Sequence, residues 1–275
     1  MNKIKPIITP KTRKEQCKLL ITSRFRNIIS IGLLNILFFI PLIVVFIFKV
    51  NYTNVIISSF GNPNPPTEDS LNAVRLWHLI FDAIQIISIM IISIGISGSM
   101  KVIKTLCYGE PVIFWENFKQ GVKENWKNYL LTSLFFSFTL LIVNFSRNSS
   151  GLMESKSISM LSWAILGIFI FVISPILVLG LAIDATYKNK LGSSFKSALV
   201  MLLRHYFGFI YMPAIMFVSY IAIFLMQLFS LNIYIIVAIS LLMILYILPI
   251  FMFLGYEYSL YLFDKYINSN YMYKR

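Results

Sequence analysis

The chain has 275 residues, 58% of them hydrophobic and only 13% charged, with a formal net charge of +13 and a mean hydropathy of +0.77. An ordinary soluble domain carries about 25% charged residues, so these proportions exclude a soluble globular protein and place the chain in the membrane class. The positive surplus could point to nucleic acid, but its distribution along the chain argues against that.

Residues 1–26 form a basic tail with eight Lys and Arg residues. A helix needs ~20 mostly apolar residues to cross the hydrocarbon layer. Six runs meet that need, at 28–50, 77–100, 129–146, 159–183, 206–229 and 235–262, so residues 27–275 read as one six-span membrane domain. The first run has too long an apolar core for a cleaved signal, and no small-x-small site follows it; it is read as a retained span. Residues 51–76 contain GNPNPPTED, a density of Asn and Pro that makes turns rather than helix, and are expected to form the longest external loop. A second external loop is expected at 146–158, SRNSSGLMESKSI. Asn51, Asn144 and Asn148 each open an Asn-x-Ser/Thr triplet on this outer side, and nothing is built on them. Spans five and six are joined by a few residues around Ser230 to Asn232 and are expected to be antiparallel neighbours. Pro41, Pro175, Pro213 and Pro249 fall inside apolar runs, where each removes a backbone donor and bends its helix.

Twenty of the 24 Lys and Arg residues fall in alternate segments: the tail, 101–128, 184–205 and the C-terminal end. The other side holds only Lys49, Arg75, Arg147 and Lys156. That asymmetry follows the positive-inside rule and predicts a multi-pass protein of the plasma or inner membrane with both termini in the cytoplasm. The charge is then mostly topogenic, with some attraction to anionic lipid, and no nucleic-acid partner is expected. Cys17 and Cys107 both lie on the predicted cytoplasmic side, where reduced thiols are expected.

Between the second and third runs lies CYGEPVIFWENFKQGVKENWKNY, too polar to cross a bilayer. Trp115, Phe118, Val122, Trp126 and Tyr129 recur there at steps of three and four, one face of a helix. Glu116, Lys119, Lys123, Glu124 and Lys127 mostly occupy the other sides. A helix with an aromatic face and a Lys-bearing face lies in the membrane interface. An interfacial helix over 112–128 is expected, serving either as an elbow that orients the bundle or as a docking surface for a partner. A second copy echoes it 77 residues later: Phe195-Lys196-x-Ala198-Leu199 with Arg204 and Tyr206 matches Phe118-Lys119-x-Gly121-Val122 with Lys127 and Tyr129. This predicts a second interfacial helix over 193–205 and a parallel internal repeat of span, interfacial helix, span. The candidate docking residues are Trp115, Phe118, Lys119, Trp126, Phe195 and Lys196.

The run GSMKVIKTLCYGEPVIFWENFKQGVKENWKNYL resembles the YesL-like family of small bacterial membrane proteins. The matching features are the Gly109-Glu110 turn that follows Lys104, the aromatic pair Phe114-Trp115, and the Phe118-Lys119 helix leading into a span; Asn35 to Pro41 looks like that family's first span. The resemblance covers about half the chain, and the 51–76 segment departs from the family pattern. It implies a multi-span bacterial inner-membrane protein of unknown activity, often associated with carbohydrate-uptake systems. It supplies no catalytic residues.

An ionisable residue inside a span is costly and raises a functional hypothesis. In the second run Arg75, His78, Asp82 and Gln85 follow steps of three, four and three, and Ser88, Gly95 and Ser99 continue roughly the same side. This face is a candidate lining for an outward-opening pocket anchored by Asp82. The simpler alternative is an internal Asp82–His78 pair with small residues that let helices approach closely. Glu257 is expected in the opposite leaflet from Asp82, and Asp184 and Arg204 are expected to pair at the inner surface. No zinc cluster, Walker A loop, nucleotide-binding glycine fingerprint or Gly-x-Ser-x-Gly elbow occurs in the sequence. No cofactor, metal or catalytic residue is assigned, and the chain is read as a non-enzyme. The fold expected is all-α, a polytopic bundle of six transmembrane helices plus two cytoplasmic interfacial amphipathic helices. The first functional reading is an accessory or regulatory subunit of a transport-related membrane system, with the bilayer and a membrane or cytoplasmic protein as partners. The second is a small-molecule permease with its pocket around Asp82, and an intramembrane enzyme comes third.

Overall fold

The computed structural model describes residues 25–61, 67–108, 110–150, 156–187, 191–209 and 232–266. In chain order these form α1 (Phe25–Ser59), α2 (Glu68–Cys107), α3 (Phe114–Ser150), α4 (Lys156–Ile168), α5 (Ser174–Thr186), α6 (Leu191–Phe209), α7 (Ile233–Leu242) and α8 (Leu248–Tyr266). A π-helical turn, Phe169–Ile173, joins α4 to α5, and another, Met243–Ile247, joins α7 to α8. No strand occurs among the described residues. Five helical stretches are long and apolar enough to cross a bilayer, namely α1, α2, α3, α4 with α5, and α7 with α8. The protein is therefore an all-α polytopic membrane protein. The expected span 206–229 lies outside the described residues from position 210 onward, as do most of the basic tail and Cys17.

The helices are inside-out relative to a soluble bundle. Leu33, Leu37, Ile40, Val44 and Phe48 are exposed at steps of three and four along α1, while Ile28, Ile31, Gly32 and Asn35 are buried on the other side. One stripe meets lipid and the other meets neighbouring helices. The main core gathers at the end where α2 turns into α3 and α5 into α6, around Val102, Leu179, Ala182, Ile183, Leu262 and Phe263. A smaller cluster of Val143, Leu166, Phe169 and Ile170 packs α3 against α4 and the first π turn.

The two π turns share a cause. Each ends two residues before a proline, Pro175 or Pro249. A proline has no N–H for the carbonyl four residues earlier, so the helix widens by one residue just before it. In a bilayer the freed carbonyl needs a partner within the protein. At the second turn, that carbonyl belongs to Leu245 and is seated on Gly32 of α1. A Cβ at Gly32 would lie 2.8 Å from the Leu245 carbonyl carbon and closer still to its oxygen. Helices α2 and α3 cross in a similar way: a Cβ at Gly121 would stand 2.8 Å from the Ser97 carbonyl oxygen and 3.1 Å from the Gly98 Cα. Small residues at crossings are what brings membrane helices together.

Several boundaries differ from expectation. The 51–76 segment is mostly helix, since α1 runs to Ser59 and α2 begins at Glu68. The Asn/Pro cluster at 62–66 lies outside the described residues. Gly61 takes φ +76° and its N–H bonds the Ser58 carbonyl at 3.0 Å, closing α1. The Thr67 hydroxyl caps α2 by accepting from the Ser70 N–H at 3.3 Å, with Glu68 and Asp69 in the first turn. The 146–158 loop is shorter too, between Ser150 and Lys156. The expected helix at 112–128 is continuous with the third span as α3, and the one at 193–205 falls within α6, which departs from helical geometry at His205 (φ −134°, ψ 30°).

Candidate functional site

The polar face of α2 meets α1 and α3 near the α1–α2 turn. Lys49 Nζ of α1 stands 2.7 Å from Asp82 Oδ1, and Asn144 Nδ2 of α3 donates to the same oxygen at 3.4 Å. Asp82 is only 5% exposed. Three helices thus meet on one carboxylate. Tyr52, Trp77 and Phe81 of α1 and α2 pack on one another, with ring centroids 5.2 to 6.1 Å apart. Lys49 was expected at the end of a span with a loop beyond it; as α1 continues through it, its ammonium turns inward. His78 Nε2 lies 3.1 Å from Thr53 Oγ1, and Arg75 Nη1 donates to Asn72 Oδ1 at 2.8 Å. The four candidates Arg75, His78, Asp82 and Gln85 therefore share a face, but the first three engage different partners, and the ion-pair partner of Asp82 is Lys49.

One turn further along each helix, Phe46, Gln85 and Leu140 line a cavity of about 620 Å³. It lies between α1, α2, α3, α5, α7 and α8 and the second π turn. Ligand sites commonly span about 300–1,000 Å³ and are mostly apolar with a few placed polar groups. Here the polar groups are Gln85, Ser93, Thr132, Ser133, Ser174, Ser240 and Tyr129. Ser93, Ser133, Ser174 and Ser240 donate to backbone carbonyls of their own helices at 2.6 to 2.8 Å. Tyr129 donates to the Leu181 carbonyl at 2.8 Å. These oxygens therefore offer lone pairs to the cavity, with their protons already used. The Gln85 amide has no hydrogen bond to any described residue, although it faces a largely apolar wall.

The far end of the cavity is closed by packing. Asn35 accepts from Ser99 Oγ at 2.9 Å in a buried pair. Lys104 Nζ caps the C-terminal end of α5 at the Ala185 carbonyl, 3.0 Å away. Thr186 and Tyr256 hydroxyls lie 2.9 Å apart. Asp184 departs from the surface role expected of it: it is buried, accepts from Ser194 Oγ at 2.6 Å, and is also bonded by Asn128. It pins the start of α6 to the end of α5. Arg204 stacks on Tyr266, 5.3 Å from the ring.

The six docking candidates separate into two kinds. Trp115 and Trp126 are 54% and 42% exposed, and Lys119 and Lys196 are exposed as well. The Lys119 and Lys127 ammonium groups sit 5.7 and 5.6 Å from the Trp115 and Trp126 rings. Phe118, by contrast, is 6% exposed and packs over Gly98, while Phe195 sits edge-on to Phe135. Lys49, Asn144, Thr53 and the Asn35–Ser99 pair were missed by sequence reasoning, because each matters through a partner on another helix. Among the described residues no group of three His, Cys, Asp or Glu could hold a metal. No family model, curated protein or solved structure matches this chain.

Proposed function

We propose that the protein is a membrane carrier that takes one small molecule into the central cavity, with the Lys49–Asp82 pair closing the outer end. The observation that carries this reading is the 620 Å³ space between the helices, one turn from a three-helix charge cluster. The inner end is held by an extended packed core and the outer end by the Lys49–Asp82 pair with Asn144, the Thr53–His78 contact and one small ring cluster, so the outer end is the easier to open. The outward orientation rests on the Lys and Arg distribution, and pairing Lys49 with Asp82 leaves fewer free cations on that side. No chemical step is assigned, and kinship with the YesL-like family of bacterial inner-membrane proteins fits this reading. The test is thiol access. With Cys17 and Cys107 changed to Ser, single cysteines at Ser93 and Ser133 should react in cells with a membrane-impermeant thiol reagent, faster when Lys49→Met opens the pair. Protection in every background would sink the carrier.

The alternative is an accessory or regulatory subunit, and the specific observation favouring it is the exposed pair Trp115 and Trp126 in the N-terminal part of α3. Its test is gentle purification from the native host. A stoichiometric partner lost in Trp115→Ala/Trp126→Ala would favour this reading; the same material eluting without a partner would oppose it.

A further inference from the structure

Resting on the carrier reading, we infer that the ligand of the central cavity is an uncharged amphiphile, a single long apolar chain with one hydrogen-bonding head group set against the Gln85 amide. Charge is the first constraint. Among the described residues the cavity wall carries no Lys, Arg, Asp or Glu. At the Gln85 end the neighbouring ionic groups, Lys49 and Asp82, are tied to each other at 2.7 Å, and beyond the other end Asp184 is held by Ser194. A charged ligand would lose its hydration there and find no counter-charge, a penalty that proteins avoid by pairing or neutralising the group.

Hydrogen bonding is the second. The serine hydroxyls on the wall have spent their protons on their own helices. Gln85 has not: its amide offers two donors and an acceptor with no described partner, in surroundings where an unpaired polar group is costly. A hydroxyl or ester head would complete it. Shape is the third. From Gln85 the wall continues along α2 through Ile89, Ile92, Ser93, Ile96 and Met100. That is about 22 Å at about 1.5 Å per residue. The volume suits one drug-sized molecule and is too small for a two-chain phospholipid. The site is therefore long, narrow and apolar, with the Gln85 amide at the end beside the ion pair and the Thr132 hydroxyl on the α3 wall as its polar groups without a bond to a described residue.

The experiment uses the full chain in nanodiscs and a long-chain primary alcohol bearing a mid-chain diazirine. The carboxylic acid and the amine of the same chain are the charged comparisons. After illumination, labelled residues are mapped by mass spectrometry. The expected result is saturable labelling by the alcohol on wall residues such as Ile89 and Phe136, competed by unlabelled alcohol, with little labelling there by the acid or amine. Gln85→Leu should weaken competition about five-fold, the loss of one net hydrogen bond. Ile89→Trp and Val237→Trp, filling the space from opposite walls, should each abolish it, and Leu37→Trp on the lipid face should not. Preferential wall labelling by the acid or amine, or no effect of Gln85→Leu, overturns the uncharged amphiphile and leaves the carrier standing. Wild-type labelling confined to lipid-facing residues such as Leu33 and Leu37 overturns both, and needs no variant to fold.

Discussion

Lys49 and Asp82 are 33 residues apart in sequence and 2.7 Å apart in space, and they join the first two helices across their interface. Removing one member of a buried pair strands the other charge, a loss of about 3–5 kcal/mol, whereas replacing both by neutral groups is often nearly free. Lys49→Met should therefore lower the thermal midpoint of the purified protein sharply. Asp82→Asn should do the same, and the Lys49→Met/Asp82→Asn double variant should recover most of the loss. A double variant no better than the worse single one would show that the two side chains do not act as a pair.

The meeting of Gly32 with the Leu245 carbonyl yields a second prediction. Gly32→Ala puts a methyl group against backbone, which cannot rotate away. Overpacking of this kind costs about 1–3 kcal/mol. Gly180→Ala is the control, since no atom lies within 4 Å of a Cβ there. Melting curves should place Gly32→Ala well below the parent and Gly180→Ala near it. Equal midpoints would mean that α1 does not seat on the π turn.

The spans were legible because a bilayer imposes one strong rule, about 20 apolar residues per crossing, and the runs 28–50, 77–100, 129–146, 159–183 and 235–262 all fall on described helices. Their ends were less so. Gly61, at the head of GNPNPPTED, closes α1, but Val55 to Ser59 before it and Leu71 to Arg75 after it are helical, so the loop expected over 51–76 is too long. The shared face of Arg75, His78, Asp82 and Gln85 was readable from steps of three and four. Its partners were not, because spacing within one helix carries no information about which residue of another helix stands opposite. Lys49 and Asn144, near the ends of the runs 28–50 and 129–146, gave no sign of meeting Asp82 for that reason.

The hydrogen bond from Ser194 to Asp184 gives a third prediction. It joins α6 to α5 at a buried carboxylate. Ser194→Ala removes the donor while Asn128 remains, so a loss of about 1–3 kcal/mol is expected, the range for a hydrogen bond to a charged group. Amide hydrogen exchange should speed up at the start of α6 and stay unchanged in α1. Uniform exchange along the chain would show that this bond does not hold α6 in place.

The aromatic face of α3 is two stripes rather than one. Trp115, Val122 and Trp126 follow one line, while Phe118, Gly121 and Tyr129 follow another about a sixth of a turn away, given about 100° per residue in an α-helix. The second line faces α2, where Gly98 leaves room for the Phe118 ring and Gly121 lies against Ser97; of the first, Val122 packs against the core while Trp115 and Trp126 remain at the surface. Phe118→Ala should therefore empty a packed site and cost about 3–5 kcal/mol. Trp115→Ala and Trp126→Ala should change the melting midpoint little, because their rings are largely exposed. The contrast separates architecture from recognition. If all three substitutions destabilise equally, the Trp rings are structural and no free docking surface exists on this face. If Phe118→Ala alone is costly, the Trp pair is available for lipid headgroups or a partner, and its substitution tests binding without disturbing the fold.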